Sequence, residues 1–320
     1  MKEVLDKILK SKSAAVLPHV NEDPDALGSC FAFCEAMKML GKEAVVYVEE
    51  EPQKRFAFLG GDYEVYDPAR KYKHDLCVCL DCGDMERLGN RAALFEAAER
   101  TVNIDHHFTN TSFAQVNYVE GKASATGEIL CTLLPMLTGR INDKIARYLY
   151  AAICADTGCF KFSSVCAKTM RLAADLLEYD FDHAEIARAL FDSDSLEVVK
   201  FKAHLMSNIE SYAGGLVKSI NLSEDLYEKY NIPPSEVPNV VDIPRRVAGT
   251  EVALCFKPKE NGIGVNFRSN SYVDVAAIAC KFGGGGHERA AGCTVREGGM
   301  EEVKRAVTEE CIKAVNNGKN

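Results

Sequence analysis

No apolar run in this sequence approaches the roughly twenty residues that a membrane-spanning helix requires, so an integral helical membrane protein is not expected. The opening residues, Met1-Lys2-Glu3-Val4-Leu5-Asp6-Lys7, carry acids where a secretory signal would be turning apolar, and a cytoplasmic protein is the expectation. Positive charge is scarce too: 38 Lys and Arg stand against 47 Asp and Glu, for a net charge of −9. Binding to a long nucleic-acid duplex scales with the phosphates that Lys and Arg neutralise, so this balance argues against such a partner. A small anionic substrate held by a few local charges stays open. Also missing is a second CxxC. Cys79 and Cys82 form one, but no other pair stands at zinc-ribbon spacing, and an odd total of 13 cysteines does not make a complete disulfide framework. Several lie in apolar stretches such as Leu76-Cys77-Val78-Cys79-Leu80, where reduced, buried thiols are expected.

What is present is enough for two domains: 320 residues, 47% apolar and 27% charged, a composition that fits neither a disordered chain nor a fibrous repeat. The first half alternates apolar strands with amphipathic helices. Ala14 to Pro18, Glu43 to Val48, Asp75 to Leu80 and Thr101 to Ile104 read as strands; Leu27 to Leu40, Arg91 to Arg100, Ser124 to Leu137 and Asn142 to Ala155 read as helices. From Ala167 the pattern is helical, over Lys168 to Leu177, Asp182 to Leu190 and Ser195 to Ser211. Strands then fit Gly215 to Leu222, Val252 to Lys257 and Gly262 to Arg268, followed by helices over Val273 to Lys281 and Glu301 to Asn316, with a Pro-rich loop from Asn231 to Pro238. The expected class is α/β: a doubly wound, mostly parallel sheet domain plus a smaller C-terminal α/β domain. The boundaries fall at 1–190 for the first domain, 191–213 for a helical linker and 214–320 for the second.

Open α/β sheets bind ligands beyond the carboxyl ends of their strands. His19, Asp81 and Asp105-His106-His107 each fall just after an apolar strand, so three strand ends could converge on one crevice. His19, Asp23 and Asp25 leave a strand through a turn stiffened by Pro24, and Asp156-Thr157-Gly158 adds an acid at a helix end. Each of these acids alone is as well explained by a cap or turn. Together they would repel one another without cations. Carboxylates and imidazoles suit borderline-hard ions such as manganese, and two such ions about 3.5–4 Å apart can generate hydroxide and clamp a phosphoryl group. A carboxylate such as Asp81 could bridge them, and the carboxylate of Asp105 could orient an adjacent imidazole ligand.

These motifs resemble those of the DHH phosphoesterase superfamily. The name-giving triplet is Asp105-His106-His107; His19 through Ser29 is similar to the first motif, Leu80-Asp81-Cys82-Gly83-Asp84 to the second and Ala155-Asp156-Thr157-Gly158 to the fourth. The resemblance implies that His19, Asp23 and Asp81 hold one ion and that Asp25, Asp81, His106 and Asp156 hold the other, with Asp81 shared. It implies manganese as the ion, His107 beside the substrate phosphate as a catalytic group, and Asp105 behind it.

In the second half, Phe282-Gly283-Gly284-Gly285-Gly286-His287-Glu288-Arg289 is either a flexible turn or an anion cradle: backbone amides of Gly284, Gly285 and Gly286 could approach a phosphate that His287 and Arg289 then bind. Arg268 and Ser269 close a nearby strand and offer more donors. A Gly-rich run ending in His resembles the superfamily's associated C-terminal domain, which holds the part of the substrate remote from the metals. Arg245 and Arg246, after Pro244, read equally well as a solvated loop. Within the superfamily the layout resembles NrnA-type oligoribonucleases, which implies two-metal hydrolysis of short RNA and of phosphoadenosine phosphate (pAp). The alternative is a phosphodiesterase for cyclic di-AMP or its linear product pApA. A long-strand exonuclease would need further domains, and a nucleotide sensor without turnover would show degenerate ligands. A homodimer through the first domain is an accompanying guess.

Overall fold

A computed structural model of the chain describes residues 1–233, 237 and 240–318. Half of the expected Pro-rich loop, residues 234–236 and 238, lies outside the described residues. The chain divides into two compact units, Met1–Ser193 and Asp194–Asn320.

The first unit is built on six strands, β1 (Ser13–Leu17), β2 (Glu43–Val48), β3 (Glu64–Val65), β4 (Leu76–Leu80), β5 (Arg100–Asp105) and β6 (Val116–Val119). Its helices are α1 (Lys2–Lys10), α2 (Pro24–Met39), α3 (Ala92–Ala97), α4 (Thr126–Thr138), α5 (Asp143–Asp156), α6 (Ala167–Leu176) and α7 (His183–Phe191). Every strand pair is parallel, in the order β3-β2-β1-β4-β5-β6. The strands read as unbroken apolar runs because both faces are covered. Ala14, Val16, Val78 and Leu80 join the core under α2, α4 and α5; Ala15, Leu17, Cys77 and Cys79 point the other way, to Leu88, Leu94 and Phe95. From β1 the chain adds β2 and β3 on one side and β4, β5 and β6 on the other, so strand order reverses between β1 and β4, the place where a doubly wound sheet opens a crevice.

Packing of α2 on α4 and α5 is tight enough to require glycine. A Cβ on Gly28 would lie 2.7 Å from the Tyr148 carbonyl, and one on Gly127 would lie 2.6 Å from Ala152 Cβ. That proximity brings the first turns of α2 and α4 together with the last turn of α5. Helix α2 starts at Pro24 rather than at the expected Leu27, because the Asp23 carboxylate accepts from the amides of Asp25 and Ala26, both at 3.0 Å, and proline suits the first helical position. The expected helix from Arg91 to Arg100 is shorter: α3 ends at Ala97 and β5 already begins at Arg100.

The second unit holds a mixed sheet: β7 (Glu210–Tyr212), β8 (Val217–Asn221), β9 (Val252–Lys259), β10 (Gly262–Ser269), β11 (Gly285–His287) and β12 (Ala290–Val295), ordered β11-β12-β10-β9-β8-β7. Only β8 and β9 pair in parallel. Helices α11 (Val275–Cys280) and α12 (Met300–Asn317) pack on one face; α8 (Leu196–Ser207), α9 (Glu224–Tyr230) and α10 (Asp242–Arg245) pack on part of the other. The stretch expected as a helical linker is divided. Residues through Ser193 belong to the first unit, whereas α8 buries Val198, Phe201 and Leu205 in the second and β7 is an edge strand of its sheet. Among the described residues no helix is long and apolar enough to cross a membrane.

Candidate active site

Neighbouring strands β1, β4 and β5 deliver their carboxyl ends side by side, and the predicted residues meet there. His19 Nε2 lies 3.7 Å from Asp23 Oδ2 and 3.6 Å from Asp81 Oδ2. His106 Nε2 lies 3.4 Å from the other Asp81 oxygen, Oδ1, 3.3 Å from Asp156 Oδ2 and 4.0 Å from Asp25 Oδ2. Two ligand-like triads, His19-Asp23-Asp81 and Asp25-His106-Asp156, are therefore joined by one carboxylate that turns an oxygen toward each.

Both imidazoles are oriented as metal ligands usually are. His19 Nδ1 faces the Val20 carbonyl at 2.7 Å and His106 Nδ1 faces the Ala123 carbonyl at 3.3 Å. A carbonyl only accepts, so Nδ1 carries the proton and the Nε2 lone pair is left toward the acids. Asp25 is fixed by the start of α4: Thr126 and Gly127 amides donate to it at 2.7 and 2.9 Å, and the Ser29 hydroxyl at 3.2 Å. Thr126 Oγ1 donates to Asp81 Oδ1 at 2.9 Å. Sequence reading missed Thr126, although its place at a helix start was the available signal.

Behind the site, Asp105 is fully buried. Its Oδ1 accepts from the His106 amide at 2.9 Å and from His107 Nδ1 at 2.7 Å, and its Oδ2 accepts from Asn110 at 2.6 Å. Burial alone would raise this carboxyl; the bonds from His107 and Asn110 outweigh it and hold it below the ordinary range. In return the Asp105 bond raises the His107 imidazole, which favours its protonated, donating form. Asn110 also ties the loop after β4 to β5, through the Cys82 carbonyl at 3.1 Å and Asn103 at 2.7 Å. Arg91, fully buried, braces the loops after β1 and β2: it donates to the Tyr47 carbonyl at 2.9 Å and lies 3.7 Å from Glu22 and 3.4 Å from Glu49.

The donor set fits divalent cations. Burial, then the charges of Asp25, Asp23 and Asp156, pushes the Asp81 carboxyl well up; burial raises Asp25, and partial burial with the charges of Asp25 and Asp23 raises Asp156. Cations would reverse that repulsion. Cys79 and Cys82, by contrast, are buried among apolar side chains, and burial lifts the Cys82 thiol to about 12, so this CxxC serves packing.

In the second unit, Arg268, Ser269, His287 and Arg289 gather at one end of the sheet, where β10, β11 and β12 meet. Gly284 precedes β11, and Gly285 and Gly286 form it with His287, so the run read as a loop is partly a strand. Gly286 has φ +142 and leaves no space for a side chain, with the Ala290 carbonyl 2.5 Å from where a Cβ would sit. Ser269 is buried: its hydroxyl donates to Glu251 at 3.0 Å and accepts from Arg289 at 3.3 Å, so it organises the loop.

The sequence matches the profile of the DHH family, N-terminal domain, over residues 13–153, and that of the DHHA1 domain over residues 214–314. It is 32% identical over 306 residues to the bifunctional oligoribonuclease and PAP phosphatase NrnA of Thermus thermophilus, an alignment covering 93% of this chain and 90% of that one. This chain belongs to the DHH family. A second relative, the bifunctional oligoribonuclease and PAP phosphatase NrnA of Bacillus subtilis, is 28% identical over 87% of each chain. The fold of this DHH family member is similar to that of an exopolyphosphatase-related protein from Bacteroides fragilis, with TM-score 0.89 and 22% identity over 98% of this chain and 95% of that one. The exonuclease RecJ shares the fold at TM-score 0.55 and 13% identity.

Proposed function

We propose that this phosphoesterase is manganese-dependent and hydrolyses short oligoribonucleotides and the 3′-phosphate of pAp. The observation that carries this reading is the Asp81 carboxylate, whose two oxygens face separate His-Asp triads. The names of the full-length relatives supply the substrate class. His19, Asp23 and Asp81 would hold one ion, and Asp25, Asp81, His106 and Asp156 the other. Bound there, two divalent cations acidify water and offset negative charge on a phosphoryl group.

His107, held by Asp105 and biased toward its protonated form, donates to a phosphoryl oxygen as charge develops. Asp105 positions His107, and Asn110 positions Asp105. In the second unit Arg268, His287, Arg289 and the amides of Gly284, Gly285 and Gly286 would hold a substrate phosphate. Ser269 supports that cluster from below. Action on free nucleotides in the cytoplasm belongs to this proposal, with neither a membrane nor long duplex nucleic acid as partner. A homodimer through the first unit is an accompanying expectation, read by light scattering.

Product analysis tests the proposal. Purified protein with manganese is offered pAp, a diribonucleotide, pApA and cyclic di-AMP side by side. Release of AMP from pAp and of mononucleotides from the dimer, with cyclic di-AMP untouched, is the expected result. Preference for cyclic di-AMP or pApA would overturn the substrate assignment, and turnover of none of the four would overturn the proposal.

A further inference from the structure

The second sheet has two unlike faces. Toward α11 and α12 it sends Val265, Phe267, Ala291 and Cys293. The alternate positions point the other way, and on that face, among the described residues, α8, α9 and α10 pack at Ile220, Ala253 and Cys255, with α10 also touching β10. Farther along, Gly264 and Asn266 of β10 pair with Lys257 and Cys255 of β9, and with Thr294 and Gly292 of β12.

This open part has a glycine floor. A Cβ on Gly264 would meet Lys259 Cε at 2.8 Å and Lys257 Cγ at 3.2 Å, so both lysine stems lie across that glycine. A Cβ on Gly292 would come within 3.8 Å of Asn266 Nδ2, which places the amide on the same face. Lys259 Nζ reaches Thr294 Oγ1 at 3.2 Å. The charges at face positions of β9, β10 and β12 are Lys257, Lys259 and Arg268, and no acid shares those positions, in a chain whose net charge is −9. Beyond Lys259 the sheet edge opens into a groove of about 1030 Å³, where Arg296 lies beside Glu260 and Glu297, and Lys281 is paired with Glu310 of α12. A solvated lysine pair needs neither a shallow glycine floor nor a clear run of one sign.

We propose that this glycine-floored basic face binds the phosphates of a single-stranded oligoribonucleotide longer than a dinucleotide, with Lys257 and Lys259 setting the preference for length. It rests on the reading of the protein as an oligoribonuclease. Gly264, the partner of Lys257, is four residues from Arg268 along β10, about 13 Å at strand spacing. That exceeds the gap between adjacent phosphates of any strand. A strand anchored at Arg268 meets Lys257 and Lys259 only when it extends past its first phosphodiester. Single-strand sites of this kind follow the backbone by charge and bind in a salt-dependent way.

The test uses the full chain and the double variant Lys257→Met/Lys259→Met, which keeps apolar stems over Gly264. With manganese, kcat/KM is measured for pAp, a diribonucleotide and a pentaribonucleotide; binding of a labelled pentaribonucleotide is followed in EDTA by fluorescence anisotropy across salt concentrations. The variant is expected to lose at least about tenfold on the pentamer in both assays and less than about twofold on pAp and the dimer. Its salt slope for pentamer binding should fall by about 1.4, or 0.7 for each of two lost phosphate contacts. Single Lys257→Gln and Lys259→Gln variants, each with an intermediate loss on the pentamer, replace the double variant if it does not fold. Unchanged binding of the pentamer, or an equal loss on all three substrates, overturns the proposal. A wild-type protein that cleaves no RNA overturns the oligoribonuclease reading instead, and anisotropy then still decides the face.

Discussion

Replacing Asp81 by Asn should separate the metal-holding role proposed for this residue from any role in folding. Asp81 has φ +58, a left-handed conformation that asparagine tolerates and alanine does not, so Asn adds no backbone strain. The amide oxygen can keep the 2.9 Å bond from Thr126, and the substitution removes a charge that burial and four neighbouring acids already disfavour. Metal-free stability should then change by no more than about 1 kcal/mol. With manganese at about 100 times its dissociation constant, one site stabilises the wild type by about 2.7 kcal/mol, a melting shift of roughly 5–10 °C for a unit of this size. Asn at 81 takes a charged oxygen from both triads at once, so the shift should shrink to roughly 2 °C or less. Turnover should fall by at least about a thousandfold, equivalent to about 4 kcal/mol of barrier. Thermal melts with and without manganese, beside initial rates on a diribonucleotide, provide both readouts. A variant that keeps more than a tenth of wild-type kcat, or the full manganese shift, would refute the shared-ligand assignment.

Arg91→Met should cost about 3–5 kcal/mol in chemical denaturation, because it leaves Glu22 and Glu49 without their buried partner; a cost below about 1 kcal/mol would show that the brace is dispensable. Gly28→Ala should cost about 1–3 kcal/mol, since its methyl would sit 2.7 Å from the Tyr148 carbonyl, and an unchanged melting temperature would contradict that packing. Burial would raise Glu128, but bonds from Ser124, Thr169 and Lys168 hold its carboxyl below the ordinary value of 4.5. A lowered carboxyl stabilises the fold above its unfolded pKa and loses that contribution as pH falls toward the folded one. Acid melts below about pH 4.5 should therefore show a smaller pH slope in Glu128→Gln than in wild type, and identical slopes would count against the network. His287→Ala should raise KM for pAp several-fold with kcat little changed; an unchanged KM would remove His287 from the phosphate cluster.

The parts of the fold legible in the sequence were those whose pattern has a single physical cause. Leu76 to Leu80 read as a strand because both faces of a parallel sheet are buried, and the acids after it read as a site because strand ends line the crevice. Asp23 could be read as either cap or ligand, and its geometry serves the first and leaves room for the second: one oxygen caps α2 while the other faces His19. Strand β11 was hidden because glycine has no strand preference; it exists by pairing with β12, a contact that local sequence does not encode. Ser269 shares the parity of Val265 and Phe267, so the alternation already turned it inward despite its donor chemistry. The Arg91 brace was invisible because charged residues usually signal a solvated surface.

Electron paramagnetic resonance of the manganese-loaded protein tests the central claim most directly. Two ions sharing Asp81 should give the broad signal of an exchange-coupled pair that fills with two equivalents. An isolated six-line manganese spectrum persisting through saturation would contradict a shared carboxylate and the two-metal site built on it.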